Sequence, residues 1–111
     1  MWPLVEWCLE YCRRNRTADG VVASDSDELE GRFPVGRTNL ATSALYYDAL
    51  LSAAALGREI GVKPSQTNAY LRQARELAAA IERFFGRDVA GYHAYRYSEI
   101  NDKLRAWICM P

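Results

Sequence analysis

From Leu40 to Leu56, within TNLATSALYYDALLSAAALG, the only charged residue is Asp48. A helix built from such a stretch is apolar nearly all round, and a helix of that kind has to be covered on most sides. Read as a helix over 39–60, it puts Leu40, Ala44, Tyr47, Leu51 and Ala55 on one face, and Leu45, Ala49, Ser52 and Leu56 on another. Thr38 or Asn39 can cap its start, and Gly61 ends it. The Ala and Ser positions let neighbours approach closely. Asp48 is then either a buried functional acid or the partner of an arginine or a tyrosine hydroxyl, since an unpaired buried charge is costly.

The helices on either side have only one apolar face. Residues 3–15 open with Pro3, which suits a first helical turn, and carry the stripe Leu4, Val5, Cys8, Leu9, Tyr11 and Cys12. Residues 64–85 start at Pro64, stop before Gly86, and carry Tyr70, Ala74, Leu77, Ala78, Ile81, Phe84 and Phe85 on one stripe. A last apolar helix is expected over 103–109, capped by Asp102.

Two long connections separate these helices. Residues 17–38 have a turn signal at Asp19-Gly20, a possible short strand at Val21-Val22-Ala23, and the acidic run DSDELEGRFPVG. Residues 86–102 hint at an extended piece through Val89, Tyr92, Ala94 and Tyr95. Loops this long inside a compact unit are usually functional or disordered. One-sided helix, long loop, all-round apolar helix, short turn, and then the same cycle again is the order expected of antiparallel helical hairpins in two layers. One-sided helices lie outside and all-round apolar ones inside. Both long loops then fall at one end, where a site is built. The expected class is all-α, with long loops carrying short extended pieces.

The chain has 111 residues, enough for one unit spanning 1–111, and it is 50% apolar, so it should fold. Lys plus Arg equals Asp plus Glu, 14 each, which argues against a nucleic-acid or membrane-surface partner. No apolar run approaches the roughly 20 residues of a membrane helix. The start, MWPLVEWCLEYCRR, has no basic region ahead of its apolar part and does not read as a signal peptide. Three cysteines without framework spacing suggest reduced thiols and a cytosolic-type context. Cys8 and Cys12 share a helix face; with one histidine, His93, and no CxxC, they read as small core residues rather than half a metal site. No zinc spacing, P-loop or GxSxG motif is present, and no cofactor is implied.

The runs SDELEGRFPVGRTNLATSALYYDALLSAAALG and GYHAYRYSEINDKLRAWICMP resemble the six-hairpin glycosidase superfamily, the (α/α)6-barrel glycoside hydrolases, and especially its bacterial members. The most specific pieces are EGRFPVGRTNL, YRYSEINDKLR and LRAWICMP, and the likeness extends from about Trp2 to Pro111. In that family outer helices lead through long loops into inner helices, and the loops line a sugar-binding cleft. The resemblance implies about two hairpins of the toroid, roughly a third of a barrel. The chain is thus expected to be a partial domain, a fragment inactive by itself.

Glycoside cleavage needs two carboxyl groups across one bond, one to protonate the leaving oxygen and one to activate water or attack. The loops offer Glu30 as general acid, with Glu99 or Asp102 as base. Arg32, close by in sequence, would keep a carboxyl charged, so the alternative reading of Glu30 is one half of an ion pair. Sugar contacts are expected from Asp27, Arg32, Asn39, Tyr95, Tyr97 and Trp107. Acidic loop runs are also commonly just solvated. The other reading is a non-catalytic helical interaction domain, pairing with a second copy through exposed apolar faces.

Overall fold

The structure, a computed structural model, describes residues 1–24, 37–96 and 98. Helices α1 (Trp2–Arg14), α2 (Leu40–Glu59) and α3 (Pro64–Phe85) lead into an antiparallel hairpin of β1 (Gly86–Val89) and β2 (Tyr92–Tyr95). The three helices expected over 3–15, 39–60 and 64–85 are present, each within a residue of its expected ends. The helix expected over 103–109 lies outside the described residues. The molecule is thus broadly helical. The all-α expectation is corrected at 86–95, where a paired hairpin replaces a loop with an extended piece.

Asn39 caps α2: its Oδ1 accepts from Thr42 N at 2.7 Å, satisfying one of the free amides of the first turn. At the other end Val62 N donates to Gly57 O at 2.8 Å, a C-terminal closure that turns the chain into α3. α2 and α3 therefore form an antiparallel hairpin, and α1 lies against α2. Tyr46, Leu50, Ala53 and Ala54 of α2 meet Tyr70, Ala74 and Leu77 of α3, with Leu9 of α1 and Val22 completing the core. A smaller cluster joins Val21, Ala80 and Phe85 where the first loop crosses the end of α3.

The covered stripe of α2 is Ser43, Tyr46, Leu50, Ala53, Ala54 and Gly57. Neither face expected to be buried is the one covered. Ala44, Leu45, Ala49, Leu51, Ser52, Ala55 and Leu56 are exposed, with Leu45 at 62%. The reason is that two neighbouring helices cover only one side of α2, and an all-round apolar pattern does not say which side. Asp48 is exposed as well, so it needs no buried partner. On α1 the expected stripe divides. Val5, Leu9 and Cys12 turn inward with Trp2, while Leu4, Cys8 and Tyr11 face out, and the Trp7 and Tyr11 rings stack 5.9 Å apart. Cys8 is therefore not a core residue. Among the described residues no helix is long and apolar enough to cross a membrane.

Gly57 is the point where three helices converge. A Cβ there would stand 2.7 Å from Cγ2 of the buried Thr67 and 3.1 Å from the Trp2 ring. Ala90 and Gly91 form the two-residue hairpin turn, both with positive φ, 51° and 83°. For Gly91 that conformation is ordinary; for Ala90 it costs about 1–2 kcal/mol.

Two opposite stability changes are expected. Gly57→Ala gains about 1 kcal/mol of helix propensity but overpacks a stiff β-branched neighbour at about 1–3 kcal/mol, so the melting temperature should fall by a few degrees. Ala90→Asn relieves the left-handed alanine and should raise it, read by the same thermal denaturation.

Candidate functional site

α1 ends, α2 begins and α3 ends at one end of the bundle, because α1 and α3 both run against α2. The backbone there is tied at successive residues. Ala23 bridges Thr38 and Ser24 N donates to Arg37 O at 2.7 Å, which closes the neck of the first long loop. Val22 N donates to Ser43 Oγ at 3.0 Å, fixing that neck to the first turn of α2. Asn39 in turn bridges Ser98, so the chain that follows the hairpin returns to the same spot. Thr38, Asn39, Ser43 and Ser98 are all buried. The two long connections thus share one anchor, as the alternation of long and short connections predicts.

Beside this anchor a groove of about 430 Å³ runs between α2 and α3. Leu40, Ala44, Tyr47 and Ile81 form its apolar floor, and Glu82 and Tyr95 its polar edge. Tyr95 is 39% exposed and donates its hydroxyl to Glu82 at 2.8 Å, a bond that, together with burial and the carboxylate's charge, raises its pKa. Tyr92 is 77% exposed.

His93 joins this edge. The hairpin register sets it opposite Asp88, whose carboxylate lies 3.2 Å from Nδ1, while Nε2 pairs with Glu82 of α3. The ring also meets Tyr95 edge-on at 5.4 Å. The bond to Asp88 and the charge of Glu82 raise the imidazole pKa above its ordinary 6.5. In its protonated form the imidazole therefore pins the hairpin to α3. The pair of carboxylates around it is not apparent without the register. The signal in the sequence is the symmetric spacing of Asp88 and His93 about Ala90-Gly91, which a two-residue turn converts into a cross-strand pair.

Two of the expected sugar contacts are within the described residues. Asn39 is buried with its Oδ1 on the helix cap, and Tyr95 stands at the groove beside Leu40. Glu30, Glu99 and Asp102, and likewise Asp27, Arg32, Tyr97 and Trp107, lie outside the described residues. Cys12 is half-buried, and burial, reinforced by Cys8, pushes its thiol pKa up, away from the thiolate a metal needs. Among the described residues no group of three His, Cys, Asp or Glu side chains is placed to hold a metal ion. No protein-family model, curated protein or solved structure matches the chain.

Because the folded pKa of His93 is raised, its contribution is fully present below the unfolded value of 6.5 and is lost as pH rises through the folded value. The melting temperature of wild type should exceed that of His93→Gln at about pH 5.5, with the gap closing by about pH 9. A gap independent of pH would mean that the ring acts through packing and not charge.

Proposed function

We propose that the anchored end of this bundle lines the sugar-binding cleft of a glycoside hydrolase, in which these helices form part of an (α/α)6 ring. The observation that carries this reading is the shared anchor: the Ala23–Thr38 and Asn39–Ser98 bridges bring the necks of both carboxylate-rich connections to the first turn of α2. Cleavage of a glycosidic bond needs carboxyl groups contributed from two directions, and two loops leaving one point provide that. In this reading Glu30 protonates the leaving oxygen, and Glu99, which directly follows Ser98, or Asp102 acts on water or on the anomeric carbon. Asp27 and Arg32 bind hydroxyls, and Tyr95, Tyr97 and Trp107 offer flat apolar faces; Asn39, buried on the α2 cap, supports the cleft from beneath and does not touch the sugar. The groove floored by Leu40, Ala44 and Tyr47, with Tyr95 at its edge, suits a pyranose ring in shape and chemistry. No cofactor enters this chemistry.

The exposed faces of α2 support the ring. Leu45, Leu51 and Leu56 are 62%, 36% and 43% exposed, so covering the remainder would contribute about 0.5–2 kcal/mol each, and neighbouring helices of a ring would cover them. The same exposure favours a second reading, in which two copies of the chain associate through α2 without catalysing anything. Light scattering across concentrations separates the two: Leu45→Lys should dissociate a dimer built on that face and leave the mass of a monomer unchanged.

The cleft itself is tested by titrating α- and β-linked oligosaccharides into the isotope-labelled chain. Saturable shifts of the Thr38, Asn39 and Ser98 amides are expected with at least one linkage, and none with glycerol. Shifts absent throughout, or spread over the far ends of α2 and α3, would remove the sugar reading.

A further inference from the structure

On the far side of the hairpin from the groove lies a second cleft, of about 510 Å³, at the C-terminal end of α3. Ala18 and Asp19 of the first loop form one wall; Arg83, Phe84, Arg87 and Arg96 form the other. Among the described residues, the wall opposite Asp19 presents the guanidinium groups of Arg83, which is exposed, and Arg87, which is half-buried.

The arginines are held there by backbone. Arg96 is buried; its Nε donates to Phe84 O at 2.8 Å, its own backbone N–H donates to Phe85 O at 2.7 Å, and its guanidinium lies 4.5 Å over the Phe84 ring. Arg87 donates through Nη1 to the same Phe84 O at 3.3 Å and to Gly86 O at 2.6 Å, and its Nε and Nη2 have no partner among the described residues. Arg83, on the last turn of α3, is exposed and has no ion pair among the described residues. Two like charges brought to one carbonyl repel each other. The negative end of the helix dipole favours positive charge at these carbonyls. Capping α3 explains why Arg87 and Arg96 approach its carbonyls. It does not explain why Arg83 stands beside them, or why half of the Arg87 fork has no partner among the described residues.

We propose that this cleft binds an oxyanion, the phosphate, sulfate or carboxylate group of a small molecule, with Arg83 and Arg87 as its direct ligands and Arg96 as a fixed positive wall. The planar guanidinium fork matches the oxygen spacing of all three groups. Pinning by backbone bonds lowers the ordering cost that two arginines otherwise incur on binding. This site is separate from the sugar-binding groove and does not depend on it.

The test uses the intact chain and inorganic phosphate, followed by amide shifts and calorimetry at constant ionic strength, with chloride as the reference anion. Saturable binding on the order of a millimolar is expected, centred on Ala18, Arg83 and Arg87. Arg87→Gln should weaken it at least about tenfold. Arg83→Gln removes a charge without touching any structural bond, and should weaken it several-fold with an unchanged circular dichroism spectrum and melting temperature. Acetate and sulfate in parallel identify the group: acetate binding more tightly than phosphate assigns a carboxylate ligand, and the reverse order assigns a tetrahedral one. Phosphate shifts no larger than those with chloride, or equal affinity in wild type and Arg83→Gln, would overturn the proposal.

Discussion

The first turn of an α-helix leaves backbone N–H groups that have no partner within the helix, and α2 starts from a buried residue, Asn39. Asn39 resolves this by accepting from Thr42 N, and its own backbone is in turn bridged to Ser98. Ser43, one turn in, accepts from Val22 N, so the first loop is bound to the same turn. Thr38, Asn39 and Ser43 thereby bring together three stretches of chain distant in sequence. Without the cap, the neck of the first loop and the return from the hairpin would each lose the surface they close against. The groove beside Leu40 and the necks of the two long connections are positioned relative to that turn.

α2 shows a different constraint. Its covered stripe runs through Ser43, Tyr46, Leu50, Ala53 and Gly57, a mixture of sizes that meshes with Tyr70, Ala74 and Leu77 on α3. The large aliphatic residues Leu45, Leu51 and Leu56 stand outside it. For a helix that served only to hold this bundle together, the reverse arrangement would be more stable. The distribution suits a helix packed on several sides, and both proposed roles, ring member or dimer face, start from this.

How much of this was legible in the sequence depended on whether the pattern carried a phase. Pro64 and Gly86 bracket α3, Asn39 has the chemistry of a cap, and Asp19-Gly20 has that of a turn; each of these is local and each appears where expected. The covered face of α2 was not legible, because with apolar residues on every side periodicity has no direction. The small residues at the contact, Ser43 and Gly57, are selected by their partners and not by hydrophobicity. The hairpin was missed in part because Ala90 occupies a left-handed turn position that normally calls for Asn, Asp or Gly. With the turn unseen, the pairing of Asp88 with His93, and the reach of His93 to Glu82, were out of sight too. The common anchor of the two loops followed from the alternation of connection lengths. The carboxylates themselves were chosen from chemistry and lie outside the described residues.

The meeting of Trp2, Gly57 and Thr67 has a consequence for how such a chain can change over generations. The indole ring fills space that exists only because position 57 has no side chain, and the Thr67 methyl closes that space from the far side. The indole N–H is buried there and has no acceptor among the described residues, so what the tryptophan supplies at this contact is bulk. A larger residue at 57 becomes tolerable only after the ring or the methyl has shrunk, and a smaller residue at 2 leaves a void that a bulkier 57 can fill. Three positions far apart along the chain therefore drift as a single unit, and relatives of this sequence should exchange them together or not at all.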